Sequence, residues 1–133
     1  MSGLDQMLRV QKWSLDEKRR QAADLEALIE RLHDDIRRLD EEVATEIEAA
    51  RSDLELQRAL PRNRAVMAER RERILKSIAD LTVELEKLRD QIMDAFTDLK
   101  KTEQTILNRQ QRQRAAQRRQ EQTRADEMGL DMH

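Results

Sequence analysis

The sequence has no cysteine and no tyrosine, and its 133 residues include only two glycines, one proline, one tryptophan and one phenylalanine. The lack of cysteine excludes disulfides and a cysteine nucleophile, and it fits a reducing cytoplasm. Because the two glycines, Gly3 and Gly129, lie near the two ends, no glycine-rich phosphate-binding loop can form. With aromatics at 2%, the chain lacks the large side chains that normally fill a globular core of this length.

Long apolar runs are also missing from the sequence. No window approaches the roughly 18 apolar residues of a membrane span, and the N-terminus shows no basic run followed by an apolar stretch. We therefore expect a soluble, cytoplasmic protein. What is abundant is charge, at 41% of residues, together with leucine, alanine and glutamine. These residues are good helix formers, and the composition is typical of a coiled coil.

Apolar residues recur in two runs with the 3.5-residue period of helices that pack knobs-into-holes. The first run is wholly apolar at its seam positions Ala22, Leu25, Ile29, Leu32, Ile36, Leu39 and Val43. The second is wholly apolar at Ile74, Ile78, Leu81, Leu85, Leu88, Ile92, Ala95 and Leu99. Two matching stripes with one break between them predict an all-α fold of two long helices that form an antiparallel coiled-coil hairpin.

The break is predicted at Pro61, because proline has no N–H and disfavours helix at the residue before it. The chain is therefore expected to be one helical hairpin. Its first helix covers about 4–58, its turn about 59–63 and its second helix about 64–126, followed by a short flexible C-terminus. With the reversal near Leu60, Ile36 would lie beside Leu85. A kinked but continuous helix is the alternative.

Residues suited to catalysis or metal binding are scarce. His33 has Arg37 four residues later, where a helical metal site would need a second ligand, so a solvated histidine is the simpler interpretation. The serines have no histidine at helical spacing, and the carboxylate clusters fall largely on outward faces. Two helices paired along their length also enclose no volume for a small molecule. We expect no catalytic, cofactor-binding or metal-binding residues, no small-molecule substrate and no enzymatic activity.

Two features exceed what a hairpin requires. Val10 and Trp13 fall opposite the seam of the first helix, and tryptophan is enriched in binding hot spots. The segment 108–122 is rich in glutamine and arginine and carries no apolar stripe. Both features belong to the end that bears the termini, where we predict partner-binding residues at Val10, Lys12, Trp13, Arg109, Arg112, Arg118 and Arg119. The alternatives are packing of Trp13 over neighbouring lysine and arginine stems, and fraying of the chain end.

A family resemblance lies in the N-terminal segment, which reads Leu4-x-x-x-Leu8-Arg9-Val10-x-Lys12-Trp13-x-Leu15-Asp16-Glu17-Lys18-Arg19-Arg20. It resembles the start of bacterial flagellar FliJ proteins, which are soluble coiled-coil components of the flagellar type III protein export apparatus. The size, the proline near the middle and the polar C-terminal helix are similar too. The resemblance implies a stalk that binds the export ATPase ring by its terminal end and couples the ring to the cytoplasmic domain of the export gate.

The resemblance further implies export chaperones as partners and a cytoplasmic location that is peripheral to the inner membrane only through these partners. No motif permits transfer of the residues that contact the gate, so they stay unassigned. Other functions also fit. The basic segment 109–124 could bind nucleic acid, although it has no aromatic residue to stack on bases. The chain could also be a structural or adaptor coiled coil of another secretion or rotary ATPase system, or its seams could pair between two chains.

Overall fold

Two long α-helices make up almost all of residues 3–131, the part of the chain that the computed structural model describes. Helix α1 spans Gly3–Ala50 and helix α2 spans Leu54–Asp131, and residues 51–53 join them. The two helices pack against each other, which confirms the predicted all-α antiparallel hairpin. Within the described residues, neither helix contains a stretch long and apolar enough to cross a membrane.

The predicted helix boundaries are wrong at three points. The first helix ends at Ala50 and not near residue 58, so the turn lies at 51–53 instead of 59–63. The second helix continues to Asp131, beyond the predicted end near 126. The flexible C-terminus predicted after residue 126 is therefore helical as far as Asp131, and residues 132–133 lie outside the described part of the chain.

Asp53 explains why α2 begins where it does. Its Oδ1 accepts the backbone N–H of Glu55 at 3.0 Å and that of Leu56 at 3.3 Å. Both N–H groups belong to the first helical turn, where they have no carbonyl partner inside the helix. The side-chain amide of Gln57 also donates to the carbonyl of Arg51 at 3.4 Å, which ties the new helix back to the turn. Asp53 is thus the N-cap of α2.

Pro61, which the sequence reading placed at the break, lies inside α2 as its eighth residue. It has no N–H to donate to the carbonyl of Gln57, four residues earlier, and its ring crowds that carbonyl. The helix nevertheless continues through Pro61 to Asp131, from a start that is capped at Asp53. The loss of one helical hydrogen bond at Pro61 therefore does not end α2.

The register of the two helices also differs from the predicted one, by about one heptad. Leu39 and Ile74 line one hollow between the helices, and Leu25 and Leu88 line another, so the paired position numbers total 113 in both cases. The predicted pair Ile36–Leu85 totals 121 and is therefore wrong. The two totals differ by eight, which is within one residue of a heptad. Because a slip of seven moves each seam position onto another seam position, the apolar stripes still face each other.

Contacts along the chain group into two compact units. The first, here called the turn unit, comprises Glu17–Gln91. Its buried side chains come from both helices and are Ala22, Ile36, Leu39, Ala50, Leu85 and Leu88. Two ion pairs join the helices at its surface: Arg71 Nε lies 3.0 Å from Asp40 Oδ1, and Arg89 Nη2 lies 2.9 Å from Glu26 Oε1. The seam predicted from the heptads is confirmed here.

The second, here called the terminal unit, comprises Met1–Asp16 and Ile92–His133. Its core is smaller, since the buried residues are Leu15, Leu99 and Thr102. The Thr102 hydroxyl donates to the carbonyl of Asp98 at 3.1 Å, so its burial leaves no unpaired donor. Gln11 occupies a seam position and is half-buried, and its Oε1 is buried without a hydrogen-bond partner among the described residues. The terminal unit therefore packs through a seam that is partly polar.

Candidate partner interface

The start of α1 presents three apolar side chains to solvent. Met7, Val10 and Trp13 follow one another at three-residue spacing, and they are 51%, 65% and 68% exposed. The seam residues Leu4, Leu8 and Leu15 occupy the other side of this helix, which is why these three side chains cannot reach the partner helix. Seam and exposed residues thus form two separate faces.

Trp13 is the largest exposed apolar group of the terminal unit. The sequence left open that lysine or arginine stems cover its ring, but an indole that is 68% exposed is not covered in this way. Over the described residues, the cation–π contact that forms is at Phe96, whose ring centroid lies 5.3 Å from Lys100 Nζ. Lys12, adjacent to Trp13 in sequence, is also exposed. The predicted exposure of Val10 and Trp13 is therefore correct.

The C-terminal part of α2, residues 107–130, has almost no packing partner. All of its side chains are exposed except that of Ala115, which is half-buried. These side chains are exposed for two reasons. Helix α2 has 78 residues and α1 has only 48, and the last apolar seam residue of α2 is Ile106. Local bonds support the helix instead: the Thr123 hydroxyl donates to the Arg119 carbonyl at 2.9 Å.

The arginines of this segment form a basic stretch that no acidic residue interrupts. Residues 109–119 contain five arginines and no acidic residue, namely Arg109, Arg112, Arg114, Arg118 and Arg119. All five are exposed. Arg114 belongs to the same stretch as the four arginines predicted from the sequence. It could have been predicted with them, because it lies between Arg112 and Arg118 in the same basic segment. Met7, three residues before Val10, is likewise an exposed neighbour that the sequence reading missed.

Both predicted groups of binding residues belong to the terminal unit. The unit therefore carries an exposed apolar face on α1 and an exposed basic segment on α2. An apolar face that includes a tryptophan can bury a large area against a partner, while arginines can donate paired hydrogen bonds to carboxylates or phosphates. This combination is suited to binding a macromolecule.

No cluster of three or more His, Asp or Glu side chains among the described residues could hold a metal ion, and His33 is exposed on α1.

Comparison of the chain with protein-family models, with curated proteins and with solved structures finds no match in any of the three.

Proposed function

We propose that the chain is a non-enzymatic, stalk-like component of the flagellar type III protein export apparatus. Its terminal unit binds the hexameric export ATPase, and the rest of the hairpin couples that ATPase to the cytoplasmic domain of the export gate. The observation that carries this proposal is that the exposed face of Val10 and Trp13 and the exposed basic segment 109–119 belong to one unit. The resemblance of the N-terminal segment to FliJ proteins supplies the identity of the partner.

The physical case for docking rests on what the terminal unit leaves uncovered. An exposed tryptophan and valine lose unfavourable contact with water when a partner covers them, at roughly 25 cal/mol per Å² of apolar surface. Segment 107–130 is already helical, so its backbone does not have to be ordered on binding. A partner that offers an apolar cavity rimmed by carboxylates would match both groups.

The proposal extends to the other partners and to location. The export gate would contact residues outside the terminal unit, and export chaperones would be further partners. The protein would work in the cytoplasm and reach the inner membrane only through these contacts.

The test is binding to the purified export ATPase of the same bacterium, measured by co-purification and by stimulation of ATP hydrolysis. Trp13→Ala should weaken binding by at least about tenfold, because a buried tryptophan anchor contributes about 2 kcal/mol or more. Truncation after Leu107 should also weaken binding. The matched control is Val83→Ala, which removes a 51% exposed valine from the turn unit and should leave ATPase binding unchanged.

The results separate the proposal from its competitors. If neither Trp13→Ala nor the truncation changes ATPase binding, the terminal unit is not the docking end. If the wild-type chain fails to bind the flagellar ATPase but binds the ATPase of an injectisome or another rotary system, the chain is an adaptor of that system.

Nucleic-acid binding is a second candidate, which the exposed arginines of residues 109–119 favour. Arginines that neutralise phosphates produce an affinity that falls steeply with salt. The test is a titration with duplex and single-stranded DNA and RNA at low and at physiological salt. Absence of binding at low salt would eliminate this candidate, and neutralising Arg112 and Arg118 should abolish binding if it is correct.

A further inference from the structure

A hollow between the helices lies next to the turn, inside the turn unit. It has a volume of about 230 Å³, and its lining residues are Thr45, Glu46, Ala49, Leu56, Leu60 and Asn63. Three of these side chains are apolar, and Leu56 is 43% exposed, so the hollow offers apolar surface that solvent can reach. The hollow is far in sequence from Trp13 and from the arginines of the terminal unit.

Glu46 is the charged residue of this hollow. The residue is half-buried, and its Oε2 is shielded from solvent without a hydrogen-bond partner among the described residues. No ion pair of the described residues includes it, and Arg38, which lines a neighbouring hollow together with Glu46, lies 3.7 Å from Asp35. A carboxylate that has lost part of its hydration and gained no partner gains more from an added cation than a fully hydrated one does.

The lining indicates which cation fits. A metal ion would need further carboxylate or histidine ligands, and the described residues hold no group of three or more. An arginine side chain matches better, since its three methylene groups can lie on Leu56 and Leu60 while its planar head donates to the Glu46 carboxylate. The side-chain oxygen of Asn63 is a further acceptor for that head.

We propose that this hollow binds an arginine side chain presented by a partner polypeptide. The stem covers the exposed apolar surface of Leu56, and the guanidinium supplies the counter-charge that Glu46 lacks within the chain. The inference does not rest on the proposed function, because it concerns the chain alone and residues of the turn unit only.

The test uses the full ¹⁵N-labelled chain and a minimal probe, N-acetyl-arginine methylamide, titrated at low ionic strength and followed by amide chemical shifts. The neutral control probe is N-acetyl-citrulline methylamide, which has nearly the same shape and no charge. We expect saturable shifts at Glu46, Ala49, Leu56, Leu60 and Asn63. The citrulline probe should bind about fivefold more weakly, because its ureido group can donate to the Glu46 carboxylate but carries no charge, and hydrogen bonds between two charged groups are stronger.

Two variants with the same change of charge make the test specific. Glu46→Gln should remove the preference for arginine over citrulline. Glu42→Gln, one helical turn earlier at an exposed position, should retain it. A third variant, Leu56→Ser, should weaken both probes alike, because it removes apolar surface and leaves the carboxylate in place.

Three results would overturn the inference. They are equal binding of the two probes to the wild-type chain, an unchanged arginine preference in Glu46→Gln, and a loss of that preference in Glu42→Gln as large as in Glu46→Gln. None of them bears on ATPase binding by the terminal unit, so the two proposals fail independently.

Discussion

Replacement of Pro61 by alanine tests where the chain turns. Pro61 is the eighth residue of α2, where it withholds an N–H from the carbonyl of Gln57 and crowds that carbonyl. A proline in a helix interior costs about 3 kcal/mol. Alanine also gives the unfolded chain more conformational freedom than proline does, and this lowers the stabilisation by about 0.4–1 kcal/mol. Pro61→Ala should therefore raise the free energy of unfolding by about 2 kcal/mol.

The matched variant is Asp53→Ala, which should act in the opposite direction. It removes the acceptor of two N–H groups at the start of α2, so the free energy of unfolding should fall by about 1 kcal/mol. Urea unfolding followed by circular dichroism at 222 nm measures both changes. With a slope of about 2 kcal/mol per molar urea, the midpoints should move by about +1 M and −0.5 M.

The opposite signs of the two stability changes distinguish a turn at 51–53 from a turn near Pro61. If the chain turned near Pro61, Asp53 would lie inside the first helix, where alanine is the better helix former and Asp53→Ala would stabilise. Pro61→Ala would then remove a turn residue and would not stabilise. A stabilising Asp53→Ala together with a neutral or destabilising Pro61→Ala would refute the turn at 51–53 and the register that follows from it.

Three further predictions concern stability and are measured by urea unfolding. Leu39→Ala, at a side chain 4% exposed, should lower the free energy of unfolding by about 2–4 kcal/mol, whereas Val83→Ala should change it by less than about 0.5 kcal/mol; similar losses would contradict the core. A double-mutant cycle on Glu26 and Arg89, whose side chains are 52% and 57% exposed, should give a coupling under about 1 kcal/mol that falls with salt. Gln11→Leu should raise stability by about 1 kcal/mol, because it removes a buried acceptor without a partner; a lower stability would show that this oxygen is satisfied.

The seam residues could be predicted from the sequence because helix packing imposes its own period on them. Ile36, Leu39 and Leu85 are buried, as the two heptad runs indicate. The pairing of the seams could not be predicted from that period. A seam that repeats every seven residues looks the same after a slip of seven, so only the turn decides which residue lies opposite which.

The turn itself was misplaced because the most visible signal was not the decisive one. Proline is rare in helix interiors, and Pro61 drew the prediction to 59–63. The Ser52-Asp53 pair is a weaker signal in sequence, but it supplies an N-cap oxygen at hydrogen-bonding distance from two N–H groups. The turn therefore begins at residue 51 and not at residue 59. Asp53 satisfies two backbone N–H groups at the start of α2, and the helix continues past the one hydrogen bond that Pro61 cannot make.

The exposure of the predicted binding residues follows from angular position and could be read from the sequence. Trp13 lies opposite the seam, and the basic segment has no apolar stripe with which to pack. The hollow at Glu46 could not be found in this way. It forms between residues of two helices, and their pairing depends on the turn and register that the sequence reading misplaced.

The small core has a calorimetric consequence. Of the side chains at residues 3–130, only nine are buried, and most of α2 beyond Ile106 is covered by water on all sides. The heat capacity of unfolding grows with the apolar surface that becomes hydrated, and globular proteins show about 12–15 cal/mol/K per residue. This chain should fall well below that value. Its stability should therefore vary little with temperature around the maximum, so moderate cooling would neither stabilise nor weaken it appreciably.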